Sequence, residues 1–166
     1  MQLVSLQPLL SDAIFDLRYA TDNNVTGQVL YANLEPQLSE LTAQKLVRAA
    51  ELFRQQSLRL VIWDAYRPTE AQARLRQVNP DNRYVAENSM HCLGLAVDVT
   101  LADSGGNYLD MGTDFDEFTE KAHINASGLR PKPQTNRQRL QSVMQQAGFQ
   151  PWHYEWWHFE DQAGLE

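Results

Sequence analysis

The chain has 166 residues, of which 43% are hydrophobic and 21% charged, so a disordered protein is excluded and one globular domain over 1–166 is expected. With 14 basic and 21 acidic residues, the net charge is −7. Because no Lys/Arg cluster offsets this charge, we expect neither nucleic acid nor an anionic membrane as the main partner.

The cysteine content and the first residues bear on cellular location. Cys92 is the single cysteine, so no intrachain disulfide can form. Residues 1–8 lack the basic and long apolar segments of a signal peptide, and no window approaches the ~20 apolar residues of a membrane span. We therefore expect a soluble, cytoplasmic protein, whose oligomeric state the sequence does not indicate.

Apolar periodicity predicts a first helix over 39–56, with a stripe formed by Leu46, Ala50 and Phe53. A second helix follows Pro68, with Thr69 and Gln72 as a capping box, and stops at Asn79.

The third helix is predicted from a capping box at Thr135 and Gln138, and Gly148 stands where a C′ residue belongs. Its apolar stripe is Leu140, Val143, Met144 and Ala147.

Strands are predicted between the helices, over 58–63, 95–101 and the aromatic-rich stretch 152–159. Residues 102–130 are glycine-rich and of mixed polarity, and they are interpreted as long loops with one short helix. Since helices and strands do not alternate regularly, we expect an α+β fold.

An aspartate in an apolar strand is the first chemical signal. Asp98 follows His91 by seven residues, and Gly94 between them supplies a bend. A buried carboxylate needs a hydrogen bond, an ion pair or a metal. Asp98 could therefore cap a turn or pair with an arginine, or it could be a metal ligand.

A second signal lies in 152–159, where Glu155 and His158 stand among tryptophans. Two histidines and an aspartate can form a catalytic zinc site, beside which Glu155 would act as the base. Alternatively, the tryptophans and His158 are core residues. His153 competes with His158 as a ligand, although His158 is preferred because His153 lies further from the strand interior.

The spacing poses a geometric problem, because residues three apart on a regular strand point to opposite faces. Glu155 and His158 can share a site only if the strand bulges at 156–157 or begins after Glu155.

Arg67 ends a predicted strand just before a helix, where a guanidinium could stabilise a developing oxyanion. The alternative is a surface salt bridge between Arg67 and Asp64.

Together these segments resemble the VanX-type D-alanyl-D-alanine dipeptidases, zinc peptidases of the D-Ala-D-Ala metallopeptidase superfamily. The resemblance rests on the Ser-x-His-x-x-Gly-x-Ala-x-Asp pattern at 89–98, Glu-Trp-Trp-His at 155–158 and Asp-x-Tyr-Arg-Pro at 64–68. Two further matching segments, 18–27 and 111–116, stand in the same order. The resemblance implies a small, mainly antiparallel central sheet flanked by helices, as in Hedgehog and D-Ala-D-Ala peptidases.

The resemblance also implies roles for nine site residues around one zinc ion per chain, and for Asp64 as a support of one of them. The ligands would be His91, Asp98 and His158, with Glu155 as the general base and Arg67 stabilising the tetrahedral intermediate. The ammonium group of the substrate would be held by Asp116 and Tyr19, and its carboxylate by Tyr84 and Ser89, while Asp64 would orient Arg67.

Three nearby residues could be mistaken for ligands. His123 and Asp114 are interpreted as loop residues, and Cys92 either competes for zinc as a thiolate or is a buried, inert thiol.

The resulting hypothesis is zinc-dependent hydrolysis of the D-alanyl-D-alanine dipeptide in a single dipeptidase domain. Two alternatives remain open at this point. One is a D,D- or L,D-carboxypeptidase that acts on longer cell-wall peptides, and the other is a non-catalytic zinc-binding module.

Overall fold

The structure is a computed structural model that describes residues 2–32 and 35–165. Its α-helices are α1 (Glu40–Arg54), α2 (Thr69–Val78) and α3 (Pro131–Gln146). Its strands are β1 (Leu3–Ser5), β2 (Ile14–Phe15), β3 (Gln37–Ser39), β4 (Leu58–Asp64), β5 (Ala96–Asp103), β6 (Gln150–Pro151) and β7 (His158–Glu160). In these ranges no helix is both long and apolar enough to cross a bilayer.

The central sheet has the strand order β2-β4-β5-β7-β6, and β1 pairs separately with β3. The β2–β4 pair is parallel, and the other pairs of the central sheet are antiparallel. Strands β4 and β5 are buried along nearly their whole length because helices and loops cover both faces. The predicted α+β fold with a mainly antiparallel sheet is confirmed.

Helix α1 packs against β4 and α3 and supplies much of the core. It begins as predicted, because Ser39 Oγ accepts a hydrogen bond from the backbone N–H of Thr42. Its stripe residues Leu46 and Phe53 are completely buried, as periodicity required.

The end of α3 also follows the prediction. Gly148 has φ +103° and donates its N–H to Gln145, while Phe149 donates to the carbonyl of Met144. These two bonds form a Schellman motif, for which a left-handed C′ glycine is suited.

Both predicted capping boxes are wrong. The N-cap of α2 is Pro68, and the amide of Gln72 is engaged by Arg67 and Ala86 instead. Helix α3 begins at Pro131, before the predicted cap at Thr135, because a proline suits the first helical turn.

The predicted strand over 152–159 is also too long. Only β7 is extended at its end, and residues 152–157 form turns in which His158 donates its N–H to the carbonyl of Glu155.

Candidate active site and metal centre

Three side chains with ionisable groups lie in one row across the central sheet. Asp64 of β4 is opposite Asp98 of β5, and Asp98 is opposite His158 of β7. The first pairing follows a register shift between Ile62 and Asp64. Because β7 starts at His158, Glu155 precedes the strand, which is one of the two arrangements that the spacing required.

His91 joins this row from a 3-10 turn, Met90–Leu93. Gly94 ends the turn with φ +67°, and a Cβ there would lie 2.5 Å from Leu3 Cδ2. The predicted bend is therefore present, and it brings His91 Nε2 within 3.3 Å of Asp98 Oδ1.

The three predicted ligand atoms form a compact triangle. His91 Nε2 lies 3.1 Å from His158 Nδ1, which lies 3.0 Å from Asp98 Oδ1. A tetrahedral zinc ion with bonds of about 2.0–2.1 Å holds neighbouring ligand atoms about 3.3–3.4 Å apart. A small expansion of the triangle would thus accommodate zinc, and all three residues are buried.

The outward nitrogens of both imidazoles also suit a metal site. His91 Nδ1 lies 2.7 Å from the carbonyl oxygen of Ala65, which can only accept, so His91 Nε2 presents a lone pair to the triangle. His158 Nε2 lies 3.2 Å from Glu160 Oε1. Such outer contacts orient metal-binding histidines.

The triangle attracts positive charge. Burial opposes ionisation of Asp98, but His91 and His158 hold its pKa well below its usual range. Burial likewise disfavours the charged form of His158, yet hydrogen bonds to Asp98 and Glu160 raise its pKa to about 10. A divalent cation bound by the three ligand atoms would replace the proton on His158 and balance the same negative charge.

Glu155 lies beside the triangle and is buried. Its Oε2 atom is 3.9 Å from His158 Nδ1. Burial raises the pKa of Glu155 well above its usual range, and Asp98 and Asp116 add to this effect. A carboxylate with a raised pKa accepts a proton more readily, as a general base must.

Arg67 is held by buried partners, so its contact with Asp64 is not the surface salt bridge considered above. Its Nε donates to Asp64 Oδ2 at 2.8 Å, and its Nη1 donates to Gln72 Oε1 at 2.6 Å. Its Nη2 lies 2.7 Å from Asp64 and 3.5 Å from Asp98. The guanidinium therefore offsets the repulsion between two carboxylates on adjacent strands.

Asp64 has a further partner outside the predicted set. The hydroxyl of Tyr31 donates to Asp64 Oδ1. Asp64 thus connects Tyr31 to Arg67, and its predicted role in orienting Arg67 agrees with this geometry.

Asp116 and Tyr19 also line the cavity and contact each other. The Tyr19 hydroxyl donates to Asp116 Oδ1 at 2.9 Å, and the backbone N–H of Val25 donates to Oδ2 at 3.3 Å. Asp116 has φ +59°, a left-handed conformation that costs a non-glycine residue about 1–3 kcal/mol and is often found at functional sites. Burial raises the pKa of Asp116 to about 7.

Tyr84 and Ser89 lie on the segment between α2 and the turn that carries His91. The Tyr84 hydroxyl lies 3.2 Å from His123 Nε2, and Ser89 Oγ accepts from the N–H of His91 at 3.3 Å. Both residues line one cavity of about 260 Å³. The other seven predicted site residues line the same cavity: Tyr19, Arg67, His91, Asp98, Asp116, Glu155 and His158.

The competing ligand candidates lie outside the triangle. His153 is exposed, and its ring packs 5.5 Å from that of His123. Asp114 is a largely exposed loop residue. Cys92 is half-buried, and burial raises its pKa, which disfavours the thiolate form.

Gln72 and Glu160 are among the polar residues that line the cavity but were not predicted as site residues. Gln72 was interpreted as a cap, and no local pattern predicts its contact with Arg67. Glu160 is two residues after His158, so the strand period of two places both on one face. That period could have identified Glu160.

A buried cluster of two histidines and a carboxylate, beside a glutamate and an arginine in one cavity, is typical of metal-dependent hydrolases. The comparisons with known proteins narrow this class. A family model described as D-ala-D-ala dipeptidase matches residues 1–165. The chain therefore belongs to the D-Ala-D-Ala dipeptidase family of metallopeptidases, and it is a peptidase.

Two relatives and one solved structure illustrate the similarity. A D-alanyl-D-alanine dipeptidase of Escherichia coli K12 is 40% identical over 162 residues, which cover 96% of this chain and 84% of the relative. One of Enterococcus faecium is 32% identical, covering 93% and 88%. A crystal structure of a mutant of the vancomycin resistance D,D-pentapeptidase VanY with Zn(II) has a TM-score of 0.50 at 16% identity. The superposition covers 77% of this chain and 74% of the VanY chain, and it shows that the two folds are similar.

Proposed function

We propose that this chain, as one domain over 1–166, hydrolyses the D-alanyl-D-alanine dipeptide to two D-alanines with one zinc ion. The observation that carries the proposal is the triangle of ligand atoms from His91, Asp98 and His158, with edges of 3.0–3.3 Å in the wall of a cavity. The similarity to proteins named D-alanyl-D-alanine dipeptidases supports the substrate.

Zinc held by these three residues would supply a Lewis acid for the peptide carbonyl and lower the pKa of water from 15.7 to ~7. Glu155 takes a proton from the attacking water and passes it to the leaving amine. Its burial and its raised pKa support both transfers.

Arg67 stabilises the negative charge that develops on the carbonyl oxygen. Asp64 and Gln72 engage three of its nitrogens and thereby fix the plane of the guanidinium. Fixed donors require little reorganisation during the reaction, and one such donor commonly contributes ~3–4 kcal/mol.

The two ends of the substrate are held on different walls. Asp116, positioned by Tyr19, pairs with the free ammonium group, and the hydroxyls of Tyr84 and Ser89 bind the terminal carboxylate. The cavity of about 260 Å³ lies below the ~300–1,000 Å³ of sites for drug-sized ligands, which supports a dipeptide-sized substrate.

We infer that the only substrate partner is a small peptide, with neither nucleic acid nor a membrane surface involved. The cytoplasmic location stays a prediction, which fractionation of cells expressing the protein would test.

Replacing the base tests the proposed mechanism. We expect Glu155→Gln to retain one zinc per chain but to lower kcat on D-alanyl-D-alanine by about 10²–10⁴-fold, since water loses its proton acceptor. Zinc content by atomic absorption and steady-state kinetics measure the two effects. Glu51→Gln, the same change at an exposed position on α1, is the matched control. Unchanged kcat in Glu155→Gln would exclude Glu155 as the base.

A further inference from the structure

Glu160 contacts the ligand histidine of β7 from outside the triangle. Its Oε1 atom lies 3.2 Å from His158 Nε2, and 17% of its side chain is exposed. Both residues belong to β7, where positions two apart point to the same face. The strand itself therefore sets this contact.

Two glutamates flank the same imidazole at different nitrogens. Glu155 Oε2 is 3.9 Å from His158 Nδ1, the nitrogen that faces Asp98 and His91. Glu160 is on the Nε2 side, away from the triangle. Glu160 is thus a partner for the imidazole and not a second base for the reacting water.

The outer partners of the two histidines also differ in charge. His91 Nδ1 faces the neutral carbonyl of Ala65, whereas His158 Nε2 faces a carboxylate. A carboxylate that accepts from the outer N–H of a histidine fixes its tautomer and increases the basicity of the inner nitrogen. Because Glu160 is largely buried, this effect is only weakly screened by solvent.

We propose that Glu160 is a positioning residue that holds His158 with its Nδ1 lone pair towards the triangle and thereby strengthens zinc binding. This inference rests on the proposed zinc site. Pairing with β5 and β6 fixes the backbone of Glu160 opposite Ala96 and Gln150, so the contact does not depend on a mobile segment.

The test is zinc affinity, measured by competition with a chelator at constant pH. We expect Glu160→Ala to weaken zinc binding about 10–100-fold. We expect a smaller loss in Glu160→Gln, because its amide oxygen still accepts from His158 Nε2 without carrying charge. Glu51→Gln, with the same change in net charge, should bind zinc as the wild type does.

The thermal midpoint of zinc-stripped protein separates positioning from general stability. A weakened affinity with an unchanged midpoint supports the proposal. Wild-type affinity in Glu160→Ala overturns it, while the proposed function stands. If Glu160→Ala does not fold, the zinc affinity of Glu160→Gln decides instead: a weakened affinity supports the proposal, and wild-type affinity overturns it. A wild-type protein that binds no zinc would instead overturn the proposed function together with this inference.

Discussion

Individual carboxyl groups in this cavity differ in protonation because their surroundings differ. Asp98 is held ionised by two histidines, whereas burial raises the pKa of Glu155 and of Asp116. The ionised state of Asp98 suits a metal ligand. The raised pKa values of Glu155 and Asp116 suit groups that gain a proton or bind a cation during turnover. Carboxyl groups thus serve three purposes within one cavity.

Asp116 gives a pH prediction. Burial raises its pKa to about 7, so the carboxyl is neutral below that pH and does not attract an ammonium group. We expect KM for D-alanyl-D-alanine to rise as pH falls from about 7.5 to about 5, approaching tenfold per unit, while the substrate's ammonium stays charged. Steady-state kinetics across this range measures the slope.

Asp116→Asn is the corresponding variant, because it cannot ionise. We expect a high KM that no longer follows this part of the pH profile. If Asp116→Asn keeps the wild-type KM and the same pH dependence, Asp116 does not bind the ammonium group.

At the scale of secondary structure, the site depends on how strands and turns meet. The row from Asp64 through Asp98 to His158 results from the register of three strands. His91 is added by the turn that ends at Gly94. A change in that turn should therefore affect both stability and the metal site.

Gly94→Ala tests the turn. Its φ of +67° disfavours a side chain, and the added Cβ would lie 2.5 Å from Leu3 Cδ2 and 3.1 Å from the backbone nitrogen of Ser39. Gly27→Ala is the matched control, because Gly27 has φ +63° with no atom within 4 Å of an added Cβ. Left-handed strain costs both variants about 1–2 kcal/mol.

We expect Gly94→Ala to lose at least about 1 kcal/mol more than the control in the free energy of unfolding, because overpacking adds to the strain. Denaturant titration of both variants measures the difference. Equal losses would mean that the close approach of β1 and β3 does not constrain this turn.

Most elements with strong periodicity could be predicted from the sequence. Helix α1 and strands β4 and β5 carry long apolar patterns, and their positions are confirmed. Strands β1, β2 and β3 contain only two or three residues, too few to show a period. The capping boxes predicted for α2 and α3 were wrong, because prolines stand at the starts of these two helices.

Part of the candidate site, too, could be predicted from the sequence and part could not. Residue types and spacing made His91, Asp98 and His158 candidate ligands, the family resemblance implied the full set, and the structure brings the three together. The contacts of Arg67 with Gln72 and of Asp64 with Tyr31 join residues from separate elements. No local pattern contains such contacts, because they depend on tertiary packing.

The molecule as a whole carries a net charge of −7, whereas its cavity is lined by side chains of both signs, among them Arg67 and Asp116. Asp116, Tyr84 and Ser89 all line this cavity. A small zwitterion would match this arrangement, whereas a blocked or longer peptide would lose the ion pair between its ammonium group and Asp116.

Substrate length is the corresponding prediction. We expect kcat/KM for D-alanyl-D-alanine to exceed that for its N-acetyl derivative and for a pentapeptide ending in D-alanyl-D-alanine by at least about 100-fold, which corresponds to about 2.7 kcal/mol. A panel of free and N-blocked D,D- and L,D-peptides measures this ratio. Faster cleavage of the longer peptides would favour the carboxypeptidase alternative instead, and Asp116→Ala should then matter little.

The position of zinc tests the central claim most directly. Crystals of zinc-loaded protein, measured at the zinc absorption edge, should give one anomalous peak about 2.0–2.2 Å from His91 Nε2, His158 Nδ1 and Asp98 Oδ1. A peak elsewhere, for instance between His123 and His153, or no peak at full zinc loading, would contradict the account.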